Sequence, residues 1–150
     1  MAEERTSFDA HAADIAEQDP GEIEQVVRAF EHLPKLANDD KDLIRRGRYL
    51  AVEFLVGIGR VPFLVLVREG KIAALERGPF LMRSWRFAIR GSSQAWRRFW
   101  QPVPEPGWHD LFALTKRGAA SIEGDLLPLM THLQYVKDLL ALPRRVASGV

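Results

Sequence analysis

The stretch from Arg48 to Glu76 constrains the fold more than any other part of the chain. Arg48 to Gly57 is β-prone, Pro62 to Arg68 contains the continuous apolar run Phe63-Leu-Val-Leu-Val, and Lys71 to Glu76 resumes after Glu69-Gly70. β-Branched and aromatic residues favour strands, and a glycine at a two-residue turn takes the positive φ that a tight hairpin demands. A three-stranded antiparallel meander follows. Arg83 to Arg90 then alternates, with Trp85, Phe87 and Ile89 on one face and Arg86, Ala88 and Arg90 on the other. That spacing predicts a half-buried fourth strand whose outer face is basic.

Helical signals flank this sheet. Asp19-Pro20-Gly21-Glu22 is a helix start, because Asp19 can cap, Pro20 suits the first helical position and Glu22 can reach back as in a capping box. Val26, Val27, Phe30 and Leu33 recur at helical spacing until Pro34, which is expected to stop the run, and Lys35 to Arg46 reads as a short helix or linker. After the fourth strand, Gly91-Ser92-Ser93 can cap a helix with Trp96, Phe99 and Trp100 on one side and Arg97 and Arg98 on the other. Pro106 can open another, with Trp108, Leu111, Phe112 and Thr115 on one stripe and Gly118 as its stop. Ala119 to Glu123 reads as a short final strand. Asp125 can cap a closing helix, Leu126 to Leu142, whose stripe is Leu126, Leu129, Met130, Leu133, Val136, Leu139 and Leu140. Helices grouped around a largely antiparallel sheet make an α+β domain.

Composition removes several function classes. With 150 residues, 47% apolar and 27% charged, the chain suits one core-forming domain. Residues 1–18 are expected to be a flexible acidic leader, 19–143 the single domain and 144–150 a tail. There is no cysteine, so disulfides, thiolate metal sites and thiol nucleophiles are excluded; the composition is compatible with a cytoplasmic location. No secretory signal is read at the N-terminus, and no apolar stretch approaches the roughly 20 residues needed to span a bilayer. The net charge of +1 conceals an asymmetry, since residues 1–40 are strongly acidic and the rest strongly basic. A basic body could meet lipid head groups, nucleic acid or an acidic substrate, or could simply be a solvated surface.

Several of these segments together resemble the sterol carrier protein 2 family of small lipid-binding domains. They are the turn Glu69-Gly70-Lys71, where the family commonly has Asp-Gly-Lys, a fourth strand ending in Ile89-Arg-Gly-Ser92, and Gly118 to Asp125. The last matches a Gly-x-x-x-x-x-Gly-Asp/Asn segment before the family's final helix. The resemblance covers about residues 24 to 142. Ile122-Glu-Gly-Asp125 with Tyr135-Val-Lys137 looks most like bacterial members that assist ubiquinone biosynthesis by holding isoprenoid lipid. The resemblance implies a five-stranded sheet covered by helices, with an apolar tunnel between them for fatty acyl, sterol or isoprenoid chains. It also implies lipid binding or transfer with no chemistry and no cofactor. The Trp-rich insertion from Trp96 to Trp108, with Pro102, Pro104 and Pro106, departs from the family pattern.

The candidate ligand wall follows from aromatic density. Trp85, Trp96, Trp100 and Trp108 lie close in sequence with Phe87 and Phe112, and Leu126, Met130 and Leu133 face inward from the closing helix. These rings either close a core or leave a gap that a hydrophobic ligand fills. Arg83, Arg86, Arg90, Arg97 and Arg98 lie beside them and could contact an anionic membrane or a protein partner. Stacking on nucleic acid is disfavoured, because the rings and arginines fall on opposite stripes. Catalysis finds little support. His11, His32, His109 and His132 never pair at i, i+4, Ser92 or Ser93 with His109 and Asp110 lacks a nucleophile elbow, and Gly57 and Gly59 lack a phosphate-loop context. The expectation is thus a non-enzymatic carrier of a hydrophobic ligand with no metal. The alternative is a protein-interaction module with a filled core and a basic docking face.

Overall fold

A computed structural model describes residues 20–147; the acidic leader and the Asp19 cap lie outside the described residues. The meander forms as β1 (Ala51–Ile58), β2 (Val61–Arg68) and β3 (Lys71–Arg77), and β4 (Phe87–Gly91) and β5 (Ala120–Gly124) complete a sheet of order β3-β2-β1-β4-β5. Every pairing is antiparallel except β1 with β4, which are parallel. A parallel neighbour cannot be reached by a hairpin, so residues 78–86 cross from the β3 edge to β4 as a strap.

Helices cover one face of this sheet. They are α1 (Pro20–Glu31), α2 (Leu33–Asn38), α3 (Lys41–Arg46), α4 (Ser93–Phe99), α5 (Leu111–Lys116), α6 (Leu127–Thr131), α7 (Leu133–Ala141) and α8 (Arg144–Ala147). Val52, Phe54, Val56 and Ile58 of β1 alternate toward them and join one buried cluster with Val26, Phe30, Trp96, Trp100, Val136 and Leu140. Leu55, Leu64 and Ala88 are buried on the opposite face, outside that cluster. There Arg83 of the strap pairs with Glu76 of β3 at 2.8 Å.

Four expectations are corrected. Pro34 does not end the first helical run; α1 ends at Glu31 and Pro34 sits in the first turn of α2, where its missing N–H is harmless. The fourth strand starts at Phe87, not Arg83, because its pairing with β1 begins at Phe54 opposite Phe87, and Trp85 precedes it. The helix expected at Pro106 starts at Leu111, after Asp110 accepts a bond from the Phe112 N–H. The closing helix is two helices, separated at His132 with φ −120° and ψ 37°. Thr131 Oγ1 donates to the Leu127 carbonyl there, a local bond that competes with the helical ladder. Residues 144–147 form a helical turn whose Arg144 guanidinium donates twice to the Phe99 carbonyl.

The first half of β3 is irregular. Its ladder with β2 shifts register between Leu66 and Val67, so Ile72 and Leu75, not Ile72 and Ala74, share the helical face. Asn38 accepts from the Ile72 N–H and donates to its carbonyl, which satisfies part of an open sheet edge. At the turn that leads from β2 into β3, Glu69 and Gly70 have φ of 53° and 77°, the paired positive values of a type I′ hairpin. The Gly70 carbonyl accepts a 2.8 Å bond from the buried Tyr135 hydroxyl of α7, and a side chain at Gly47 would collide with the same ring.

Burial raises the Tyr135 phenol to about 12, with the Arg46 charge pulling weakly the other way. Since the folded value exceeds the ordinary 10.0, this contribution to stability is intact below pH 10 and is lost as pH rises toward 12. Tyr135→Phe should therefore lower unfolding free energy by about 1 kcal/mol at neutral pH. In urea titrations across the alkaline range, the gap between parent and variant should close.

Candidate functional site

The sequence-derived wall divides into three groups. Phe87, Trp96 and Trp100 belong to the buried core: Phe87 stacks on Phe54 at 4.9 Å, Trp96 on Trp100 at 5.1 Å, and Trp100 on Phe30 at 5.8 Å. Ser92 caps α4 through the Ala95 N–H and so aims both indoles at the sheet. Trp96 Nε1 donates to the Gly57 carbonyl at 2.9 Å and Trp100 Nε1 to the Leu140 carbonyl at 2.7 Å. Both indoles are 1% exposed, and their polar atoms are satisfied by backbone.

Trp85 stands apart from that core, and Trp108 packs against its margin. Trp85 lines an open groove of about 750 Å³ with Glu53, Leu66 and Arg68 on the strap side of the sheet. Trp108 is half-buried in the loop before α5, with the guanidinium groups of Arg98 and Arg117 at 4.2 and 4.6 Å from its ring. The four tryptophans thus do not surround one space.

The third group stays accessible. Phe112 of α5 and Leu133 of α7 are half-buried, and Leu126 and Met130 are exposed. Lys137 lies one turn after Leu133, sits 4.6 Å from the Phe112 ring and pairs with Asp110 at 2.8 Å, which sets Phe112 and Leu133 along the α5–α7 seam. Burial pushes the Asp110 carboxyl up, but the Lys137 ammonium and two backbone N–H groups outweigh it and hold the carboxyl below its ordinary value. The Met130 N–H bonds the Leu126 carbonyl, so these two side chains share a helix face, joined by Leu127 at 72% exposure. Leu127 was not among the expected wall residues. Reading one continuous helix hides it, because an unbroken stripe turns Leu127 outward as an ordinary surface residue.

The glycine segment before the closing helices has a structural explanation. A side chain at Gly124 would strike the Arg86 carbonyl and the Phe87 Cα, and the Asp125 N–H bonds that same carbonyl at 2.7 Å. Asp125 then accepts from the Leu127 N–H and starts α6. The segment therefore locks β5 to β4 and fixes where the apolar face of α6 emerges.

The expected basic face is dispersed. Arg83 pairs with Glu76, Arg90 with Glu123 at 3.0 Å, Arg98 with Glu105 at 3.4 Å and Arg86 with Asp125 at 3.8 Å, while Arg97 bonds Gln25. Ser92 and Asp110 are both occupied as helix caps. No group of three or more His, Cys, Asp or Glu among the described residues could hold a metal ion, and no helix among them is long and apolar enough to cross a membrane.

With this geometry in hand, comparison with solved structures gives the fold a class. The chain superposes on a sterol carrier protein 2 crystal structure with a TM-score of 0.61 at 12% identity, covering 78% of this chain and 94% of that one. A UbiJ-SCP2 ubiquinone synthesis protein gives 0.51 at 14% identity, covering 77% and 87%, and sterol carrier protein domain 2 of Helicoverpa armigera gives 0.52 at 16%, covering 89% and 94%. No family model matches the sequence, and no curated protein matches it. The fold is thus that of sterol carrier protein 2, in agreement with the resemblance read from the sequence.

The fully buried indoles and the half-buried Trp108 should behave differently on substitution. Trp100→Phe removes the donor to the Leu140 carbonyl and leaves a void, so it should destabilise by about 2–4 kcal/mol in chemical denaturation. Trp108→Phe, which keeps a ring between two guanidinium groups, should cost less than about 1 kcal/mol.

Proposed function

We propose that this chain is a non-enzymatic carrier that binds a hydrophobic ligand and presents it to a partner or acceptor. The reading is carried by one observation: on a sterol carrier protein 2 fold, Leu126, Leu127 and Met130 stay exposed beside the Phe112–Leu133 seam. Isolated surface leucines are ordinary, but adjacent ones on one helix face are an apolar patch that water solvates poorly.

The ligand runs along the α5–α7 seam and over α6, not beneath Trp96 and Trp100, whose rings stack and whose N–H groups are engaged. Each methylene taken from water contributes about 0.8 kcal/mol, so an acyl or prenyl chain gains useful affinity from partial burial without a strong polar anchor. Lys137 beside the seam could meet a polar head, although its pairing with Asp110 makes that a minor contribution. The likeness to a ubiquinone synthesis protein makes an isoprenoid the first ligand to try, ahead of fatty acids and sterols.

Native mass spectrometry and organic extraction of the purified protein should recover a lipid, and fluorescent fatty-acid or prenyl probes should bind. Leu133→Trp, which fills the seam from within, should weaken probe binding by about tenfold, the equivalent of losing two buried methylenes. Trp108→Phe should bind as the parent does. Failure of acyl, sterol and prenyl probes alike to bind, with no copurifying lipid, would overturn the proposal.

A further inference from the structure

The strand order has a consequence for the surface that the carrier reading does not use. β1 and β4 are parallel and the other pairs antiparallel, so one end of the sheet carries the end of β2, the starts of β1, β3 and β4, and the end of β5. Along this end run Lys71, Arg68, Ala51, Phe87 and Gly124, with Arg48 and Tyr49 just before β1 and Asp125 to Met130 just after β5. The Gly47 backbone lies against Gly70, which brings the Arg48–Tyr49 segment onto the β2–β3 turn. Asp125 is bonded to Arg86, which brings α6 to the start of β4.

Two kinds of side chain collect there. The apolar ones are Tyr49 at 84% exposure and Leu126, Leu127 and Met130 of α6. The cations are Arg48, Arg68 and Lys71, each exposed and none paired with a carboxylate among the described residues. Arg48 instead lies 4.7 Å from the Tyr49 ring. Against these cations and Arg86 stand Glu53, Glu69 and Asp125, which leaves the end positive by one charge. Elsewhere Arg83, Arg90 and Arg98 are matched by acids, while Arg60 and Arg117 are exposed without a carboxylate partner among the described residues but lie apart from any such apolar patch.

We infer that this end of the sheet docks on an anionic lipid bilayer. Exposed Leu and Met side chains enter the acyl boundary, the Tyr49 ring sits at head-group depth, and Arg48, Arg68 and Lys71 meet lipid phosphates. The charge decides the occupant: an apolar patch alone would accept a protein groove, whereas a net positive strand end roughly 19 Å wide, on which Arg48, Arg68 and Lys71 have no carboxylate partner among the described residues, matches a flat anionic surface. The inference stands without any bound ligand. If the carrier reading also holds, the α6 patch opens where a lipid would leave the membrane.

Cosedimentation of the full chain with phosphatidylglycerol and with phosphatidylcholine vesicles tests it. The parent should bind the anionic vesicles and release at high salt, and should bind phosphatidylcholine weakly. Each cation near such a surface contributes about fivefold, so Arg48→Gln, Arg68→Gln and Lys71→Gln combined should weaken binding by about a hundredfold. Leu127→Ser should weaken it without changing the salt dependence. Arg60→Gln, at the β1–β2 turn on the opposite end of the sheet, should leave it unchanged. Circular dichroism verifies that the variants are folded. Equal binding to both vesicle types, no binding at all, or an Arg60→Gln defect as large as that of the triple variant would overturn the inference. Probe uptake in vesicle-free solution reads the carrier function separately.

Discussion

The rest of the structure depends on how Trp96 and Trp100 are satisfied. An indole buried without a partner for its N–H would be costly, and both of these find one in a backbone carbonyl, Gly57 on the central strand and Leu140 on α7. α4 is thereby fastened at once to the sheet and to α7. Phe30 of α1 closes the arrangement by stacking on Trp100 and meeting Phe63 edge-on at 5.1 Å. Three helices and two strands are thus held by one aromatic group, and apolar residues that do not reach it are left at its margins. The half-buried Phe112–Leu133 seam and the α6 patch are two such margins.

Much of this was legible in the sequence, where local rules and burial agreed. The meander, the Glu69-Gly70 turn, the Ser92 cap and the short final strand all appear near their expected positions, because apolar content and turn chemistry point the same way there. The segment Gly118 to Asp125 was legible as a family resemblance before its reason was visible. That reason is the approach of the Arg86 carbonyl to Gly124, a contact between residues far apart in the chain. The parallel β1–β4 pairing was not legible, since nothing local distinguishes a strand that follows a hairpin from one that follows a strap.

The candidate site was partly legible, and the misses share a cause. Residue types identified the aromatic and aliphatic side chains, but grouping them required knowing which elements were continuous. Trp85 appeared to share a face with Phe87 because strand alternation was carried two residues past the point where pairing begins. Met130 and Leu133 appeared to share a stripe because helical spacing was carried through the break at His132. Periodicity reports burial only while the element lasts. Each error therefore lies next to an element end, and the exposed patch lies at one of them.

A filled interior and a carrier's fold are compatible once the apolar surface outside the interior is considered. A closed tunnel lets a ligand displace nothing, whereas here the stacked indoles would have to give up both π contacts and two hydrogen bonds to make room. Those losses exceed the roughly 0.8 kcal/mol that each inserted methylene returns until several have entered, so a chain beginning to enter meets a barrier at the core and none at the seam. Under the proposed function, a ligand would take the route along Phe112, Leu133 and α6, where apolar surface is already exposed. The same face of α6 lies at the cationic end of the sheet, so the two proposals, a ligand route and a membrane-facing surface, meet at one helix.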